Sequence, residues 1–349
     1  MAPRPTIRDV AKMAKVAPST VSAVLNDKGP VHPRTRARIR RAIQTLNFTP
    51  RRSARDLASG TSGNIGFLLS EQFFSRTEPF YTRVFLGAEF EARTHDLYVL
   101  LTTVERRYRG PHDLPRFLHE KNVDGVIVAG RVPPNLLRDL KEVRVPVVLV
   151  DYGDPEFPCP RVLMDNTAGT ALAVKHLVEL GHRDIGFIAA ESDHPSVKER
   201  IAGYHQGMHL AGLVPDPDCM RIEETEMSVE TGERAFENLC QGRGRPTALV
   251  CSNDAMAIGV IRAAKRAGVK VPDRLSVVGF DDVTEGRLHD PPLTTVRVNK
   301  EDLGALAVQT LVDRLHNGRE RSFEIRVAVE LLVRASTAGV NRTLPARGK

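Results

Sequence analysis

From Asn64 onward the chain alternates short apolar runs with amphipathic stretches, and it does so twice. NIGFLLS, LYVLLTT, VDGVIVAG and VPVVLVD are interleaved with helical periodicity at Val84 to Arg93 and near Leu114 to Glu120. RVLMD, DIGFIAA, TALVCSN and LSVVGFDD repeat the pattern, with helices at Ala168 to Leu180, around Ile201 to Ala211 and at Ala255 to Ala267. Short apolar runs bounded by turn residues read as strands buried on both faces. Strands alternating with helices require parallel sheets joined by right-handed crossovers. The double series therefore predicts two doubly wound lobes. PPLTTVRVN, a helix from Leu303 to Leu315 and the strand region EIRVAVELLVR follow after the chain crosses back.

At roughly 150 residues per domain, 349 residues accommodate about two domains. With 41% apolar and 27% charged residues the chain has enough apolar surface to bury, which excludes wholesale disorder. Its longest strongly apolar runs, such as Val145 to Val150, are strand length and too short to cross a bilayer, so no membrane partner is expected. MAPRPTIRDV lacks the apolar core of a secretory signal. Cys159, Cys219, Cys240 and Cys251 form no CxxC pair, which fits a reducing cytoplasm.

Charge is concentrated at one end. Residues 1–60 carry thirteen Lys and Arg against three Asp, a net of +10, whereas the remainder sums to −3. A basic head on a near-neutral body is the electrostatic footprint of a nucleic-acid-binding module joined to something else. Thr6 followed by Asp9 makes a capping-box-like start to a first helix, with Ile7, Val10, Ala11 and Ala14 on one face. After the turn Lys15 to Ala17, PSTVSAVLN places Pro18 at a helix N1 position and turns Val21, Val24 and Leu25 inward. Gly29 and Pro30 break the chain. A third helix begins near Pro33, with Ile39, Ala42, Ile43 and Leu46 as its apolar face. Two short helices joined by a tight turn and closed by a third form a helix-turn-helix, whose second helix enters the major groove. Its exposed residues, Pro18, Ser19 and Ala23, offer one hydroxyl and apolar surface suited to a thymine methyl, and no bidentate contact.

TIRDVAKMAKVAPSTVSAVLND resembles the start of a LacI/GalR (lactose-repressor/galactose-repressor) family transcriptional regulator. The likeness continues through VHPRTRARIRRAIQTLNFTP and SARDLASG and along the body to Thr337. The chain departs from the family at Lys15, Ala17 and Ala23, where Gly, Ser and Arg are frequent. Loss of the Ser cap costs about 1 kcal/mol, and Lys15 is expected to take a positive φ. The fold implied is an all-α helix-turn-helix head plus an α/β two-lobed, periplasmic-binding-protein-like core of doubly wound parallel sheets. The head spans 1–50, a hinge helix and linker 51–62, and the core 63–340. Within the core the expected N-lobe covers about 63–160 and 292–322, the C-lobe about 161–291 and 323–340, with three crossovers between them. The expected DNA-contacting set is Thr6, Pro18, Ser19, Thr20, Ser22, Ala23, Asn26, Arg34, Ala54 and Leu57. Two readings stand for Leu57: a wedge entering the minor groove at the centre of the operator, or a linker leucine packing on the body. The partners implied are a palindromic double-stranded operator, a small-molecule effector and a second copy of the chain, since two heads must reach two half-sites. The tail after Val333 has no leucine heptad, so no tetramerising coiled coil is expected.

In open α/β sheets ligands bind beyond the carboxyl ends of the strands. Matching the family's motifs there carries effector contacts onto Ser70, Asp151, Arg200, Asn253 and Asp281, a set suited to vicinal hydroxyls of a sugar or the polar edge of a nucleobase. By resemblance, a sugar or sugar derivative is the first expectation and a purine the second. Asp254 and Asp282 have two readings, helix N-cap or ligand contact. Met227 and Met164 stand where relatives place pocket residues, an aromatic in the first case, so stacking there is lost. Phe73, Phe74, Phe80 and Tyr81, in a loop rich in aromatics, either wall the pocket or pack in the core.

No catalytic residue, cofactor or metal is expected. There is no GxxxxGK[ST] loop and no GxSxG elbow, and QGRGRP lacks the context of a dinucleotide fingerprint. His205 and His209 stand at i,i+4 without the Glu of HExxH and read as a solvated helix face. An α/β enzyme with a basic appendage would turn its ligand over, and an architectural DNA-bridging protein would bind with little sequence preference and no effector response. The expectation is a dimeric, ligand-responsive, sequence-specific repressor.

Overall fold

The computed structural model describes residues 5–25, 29–48, 61–71, 80–318 and 321–340. Asn26, Ala54, Leu57, Phe73, Phe74 and most of the expected hinge lie outside the described residues. The chain divides into a small unit of residues 1–63 with 121–124 and a large unit formed by the rest.

In the small unit, α1 (Ile7–Ala14), α2 (Pro18–Leu25) and α3 (Pro33–Thr45) close around Val10, Ala14, Val21, Val24, Ile39 and Phe48. The Asp9 carboxylate accepts hydrogen bonds from the backbone N–H and the hydroxyl of Thr6, both at 2.7 Å. Lys15 ends α1 in the left-handed region at φ 51°, as expected where relatives use Gly. Its conformation lets the Val16 N–H reach back to the Ala11 carbonyl at 3.0 Å, turning the chain into α2.

The large unit contains two six-stranded sheets. The first consists of β1 (Asn64–Ser70), β2 (Tyr98–Val104), β3 (Gly125–Ala129), β4 (Val147–Val150), β5 (Arg161–Met164) and β11 (Glu324–Val327), all parallel, in the order β11-β5-β4-β3-β1-β2. The second consists of β6 (Ile185–Ala190), β7 (Met220–Glu223), β8 (Ala248–Cys251), β9 (Ser276–Asp281), β10 (Thr294–Val298) and β12 (Val329–Leu332), in the order β12-β10-β9-β8-β6-β7, with only β12 antiparallel. Central strands such as β3, β4 and β8 are buried at every residue, which is why they read as continuous apolar runs.

Sheet membership corrects three lobe boundaries. The expected C-lobe began at 161, but RVLM forms β5 of the first sheet; the expected N-lobe resumed at 292, but TTVRV forms β10 of the second. EIRVAVELLVR, expected wholly in the C-lobe, splits at Ala328 into β11 and β12 on different sheets. The crossovers remain three, at about residues 165, 299 and 328. An apolar run carries no mark of the sheet it joins: β5 is recruited by β4 and by β11, whose Glu324 meets Arg161 at 2.8 Å. The helix near Leu114 to Glu120 contracts to α5 (Arg116–His119), because Pro115 blocks extension backwards. Elements not read from the sequence include β7, the helix α6 (Pro134–Val143) and the short helix Thr284–Leu288.

The helices α4 (Phe80–Thr94) and α12 (Lys300–Asn317) pack through glycines. A Cβ on Gly304 would sit 1.9 Å from the Val84 carbonyl oxygen, and one on Gly87 2.0 Å from that of Glu301. The obstacle is backbone, so neither side can yield without moving a helix. Gly304→Ala is expected to lose about 1 to 3 kcal/mol by overpacking, read as a lower urea midpoint with an unchanged slope.

Asp254 opens α10 (Asp254–Arg266) and is fully buried. Its carboxyl accepts from the Thr295 hydroxyl at 2.5 Å and the Val283 N–H at 2.8 Å, joining α10 to β10 and to the turn after β9. Neither expected reading holds, since Asn253 caps the helix and the carboxyl is enclosed by protein. Burial, and then the nearby Asp281 charge, push its pKa from 3.8 up to about 8, against those two hydrogen bonds and Lys300. A folded pKa above the unfolded one means the native state holds the extra proton. The resulting stability is complete below about pH 4 and is lost as pH rises through about 8. The urea midpoint of the wild type is expected to fall between about pH 5 and pH 8 relative to that of Asp254→Asn, which cannot titrate; parallel profiles would refute the assignment.

Candidate functional site

In the small unit the solvent face of α2 is the one expected. Pro18 and Ser19 are exposed at its first turn, Thr20, Ser22 and Ala23 are half-buried, and Val21 and Val24 face the core. Arg34 is exposed at the start of α3, where its backbone N–H donates to Nδ1 of His32 at 3.3 Å. Thr6 spends its hydroxyl proton on Asp9. Ser19, Thr20 and Ser22 thus present hydroxyls on the helix that a groove would receive.

In the large unit the strand-end residues gather around one buried cation. Arg200 lies on α8 (Pro195–Leu210) and is 5% exposed. Its Nε donates to Oδ1 of Asn166 at 2.8 Å, one terminal nitrogen to the Ser252 carbonyl, and the other to Oδ1 of Asp281 at 3.3 Å and Sδ of Met164 at 3.5 Å. The guanidinium also stacks 3.8 Å from the centroid of the Phe280 ring. Arg200 and Asp281 are therefore brought together as the sequence led one to expect. Asp281 sits at φ 112° and Asp282 at φ 55°, so the β9 end turns sharply to present its side chain. Burial raises the Asp281 pKa, and the Arg200 and Lys300 charges oppose that rise.

Asp151, at φ 68° beyond β4, forms a second cluster. The Tyr81 hydroxyl donates to its Oδ2 at 2.6 Å, and the Ser196 hydroxyl lies 3.0 Å from both its Oδ1 and its carbonyl oxygen. Burial raises its pKa; Tyr81, Arg200 and Ser196 work the other way. Ser196 belongs to α8 of the second lobe, so this hydrogen bond crosses the cleft. His194 caps α8 by accepting the Ser196 N–H on Nδ1 at 3.2 Å, which assigns its proton to Nε2. Burial, with Arg200 and Arg131, brings its pKa down to about 4, so it is a neutral donor at physiological pH.

The remaining expected residues are less engaged. Ser70 is 1% exposed at the end of β1. Asn253 uses Oδ1 to cap α10 through the Met256 N–H at 2.9 Å, and Nδ2 to hold the Met227 carbonyl at 3.3 Å. Asp282 is not a helix cap: Val283 takes that place, and Asp282 pairs with Arg297 at 3.0 Å and Arg334 at 2.5 Å. Of the two readings of Tyr81 the core one holds, and its hydroxyl is turned to Asp151. Asn166, His194, Ser196 and Lys300 escaped sequence reading, and so did the polar role of the Tyr81 hydroxyl. A Pro at N1 directly after His194 could have flagged the last turn of approach to α8, as Pro18 did for α2. Lys300 extends from the head of α12 across to the Asp281 carbonyl and lies 5.6 Å over the Phe80 ring. Beside it, Phe80, Asp282, Val298 and Asn299 help line a cavity of about 350 Å³.

His205 and His209 are exposed on α8. Among the described residues no group of three His, Cys, Asp or Glu side chains could hold a metal ion, and no helix is long and apolar enough to cross a membrane.

Two family models match the chain: bacterial regulatory proteins of the lacI family over residues 6–51, and the periplasmic binding protein-like domain over 174–337. The HTH-type transcriptional repressor PurR of Aliivibrio salmonicida (strain LFI1238) is 34% identical over 330 residues, covering 93% of this chain and 97% of its own. Among solved structures, the lac repressor dimer bound to operator and the anti-inducer ONPF superposes with a TM-score of 0.81 at 27% identity, over 96% of this chain and 100% of that one. The transcriptional regulator CelR in complex with cellobiose gives 0.71 at 28% identity, over 95% and 100%. The basic three-helix head, the two-lobed core and these likenesses agree: the chain belongs to the lacI family of bacterial regulatory proteins, and is a DNA-binding transcriptional repressor regulated by a small-molecule effector.

Proposed function

We propose that two copies of this chain hold a palindromic operator through their α2 helices, and that a sugar or sugar derivative between the lobes of each sets the operator affinity. The observation that carries this reading is the convergence of Asp151, Ser196, Arg200 and Asp281 where strands from both sheets end. Two buried carboxylates and a guanidinium offer acceptors and forked donors to adjacent hydroxyls, the pattern a polyol matches. Similarity to a regulator solved with cellobiose supports the same ligand class. A purine is the second reading, favoured by the neutral Nε2–H of His194, which suits a ring acceptor.

A ligand at Asp151 competes with Ser196 for the same carboxylate, so occupancy and the cross-lobe hydrogen bond are linked. Only such a difference in affinity between two lobe arrangements lets a ligand shift an equilibrium. The site binds and releases its ligand without turnover. Phe90 and Tyr98, 55% and 62% exposed on the first lobe, supply apolar surface for the second copy. A regulator of this kind works on the chromosome, in the cytoplasm.

Thermal-shift titration with a panel of sugars and purines tests the ligand class, because a ligand that binds only the native state raises its melting temperature. Arg200→Ala would leave Asp281 buried without its cation, so Asp281→Asn is the cleaner variant. It is expected to weaken the ligand found in the panel by about thirtyfold or more, while ligand-free operator affinity stays within a few fold. Unchanged ligand binding in Asp281→Asn would move the site elsewhere.

A further inference from the structure

We infer that α3 carries a second DNA-binding face, on which Arg38, Arg40 and Arg41 hold backbone phosphates independently of sequence; this rests on the DNA-binding reading of the head. The helix PRTRARIRRAIQT contains five arginines and no acidic residue. Ile39 and Ala42 face the core, leaving Arg38, Arg40 and Arg41 exposed. Among the described residues none of these three forms an ion pair. The body treats its arginines differently: Arg161, Arg266, Arg297 and Arg326 each meet at least one carboxylate. The outer side of α3 bears an open hollow bounded by Arg36, Arg38, Arg40, Arg41 and Gln44.

This arrangement opposes the helix that carries it. Arg34 with Arg38 and Arg36 with Arg40 stand at i,i+4, and Arg38 with Arg41 at i,i+3, spacings at which like charges repel. Arg34 and Arg36 also stand in the first turn, next to the positive end of the helix dipole. The repulsion is relieved when a polyanion lies along the helix. A thirteen-residue helix is about 20 Å long, and a duplex presents one negative charge per about 1.7 Å of its axis, so several phosphates fall within reach. Guanidinium forks pair with phosphate oxygens bidentately. Because these residues are not on α2, their contacts position the protein and carry no base readout.

The full-length wild type, R38Q/R40Q/R41Q and R38K/R40K/R41K are titrated with two mixed-sequence duplexes between about 50 and 200 mM salt. The Gln variant is expected to reduce the log–log salt slope by about 0.9 for each phosphate no longer neutralised, about 2 to 3 in all, equally on both duplexes. The Lys variant is expected to keep the wild-type slope, and the DNA-free Gln variant to melt no lower than the wild type. A wild-type slope in the Gln variant overturns the assignment. So does a decrease confined to one duplex, which would make α3 a base reader, or a lower melting temperature that the Lys variant shares, which would make the arginines structural. A flat salt response of the wild type itself would instead overturn the DNA-binding reading, and the α3 face with it.

Discussion

Arg200 is a guanidinium removed from water, and a buried charge persists only where several partners neutralise it together. Those partners come from four places: Asn166 at the first crossover, Ser252 after β8, Asp281 at the end of β9, and Met164 at the end of β5 in the other sheet. The carboxyl end of the cleft is organised around satisfying this one side chain. Phe280 completes the shell by offering its ring face. Moving any of these elements leaves a charge or a carbonyl without a partner, so the lobes meet in a defined way.

The same low-dielectric setting governs the other ionisable groups. Asp151, Asp254 and Asp281 all have raised pKa values because burial disfavours their charged forms, while Lys300 and His194 are lowered for the mirror-image reason. Hydrogen bonds from Tyr81, Ser196 and Thr295 divide the acids by role. Asp254 is sealed into the scaffold, whereas Asp151 and Asp281 stand where the lobes face each other. Asp151 and Asp281 are thus held at the cleft by side-chain hydrogen bonds, the first from Tyr81 and Ser196 and the second from Arg200.

The basic head follows the opposite electrostatic logic. Arg38, Arg40 and Arg41 on α3 are exposed and form no ion pair among the described residues, while several arginines of the body, among them Arg266 and Arg326, are tied to carboxylates. Exposed pairs of that kind contribute little to stability, but they neutralise the surface. One end of the chain therefore attracts polyanions and the remainder does not, a division that electrostatic steering toward DNA requires.

What the sequence determined by itself is what local patterns control. Apolar runs between amphipathic stretches set the parallel α/β core, Pro18 and Thr6 with Asp9 set the starts of α1 and α2, and the positive φ at Lys15 followed from a turn that relatives close with Gly. That Arg200 and Asp281 belong to one candidate site followed from the family resemblance, and the structure brings the two side chains together. Tertiary structure alone decided sheet membership at 161–164, 294–298 and 324–332, where strands of one composition join whichever edge is open. It also decided that Asn253 caps a helix, that Asp282 pairs with Arg297 and Arg334, and that Ser196 spans the cleft to Asp151. The reason is sequence distance. The groups that satisfy Arg200 lie 34, 52 and 81 residues away, and the demand that every buried charge find a partner is met only after the chain has folded back on itself.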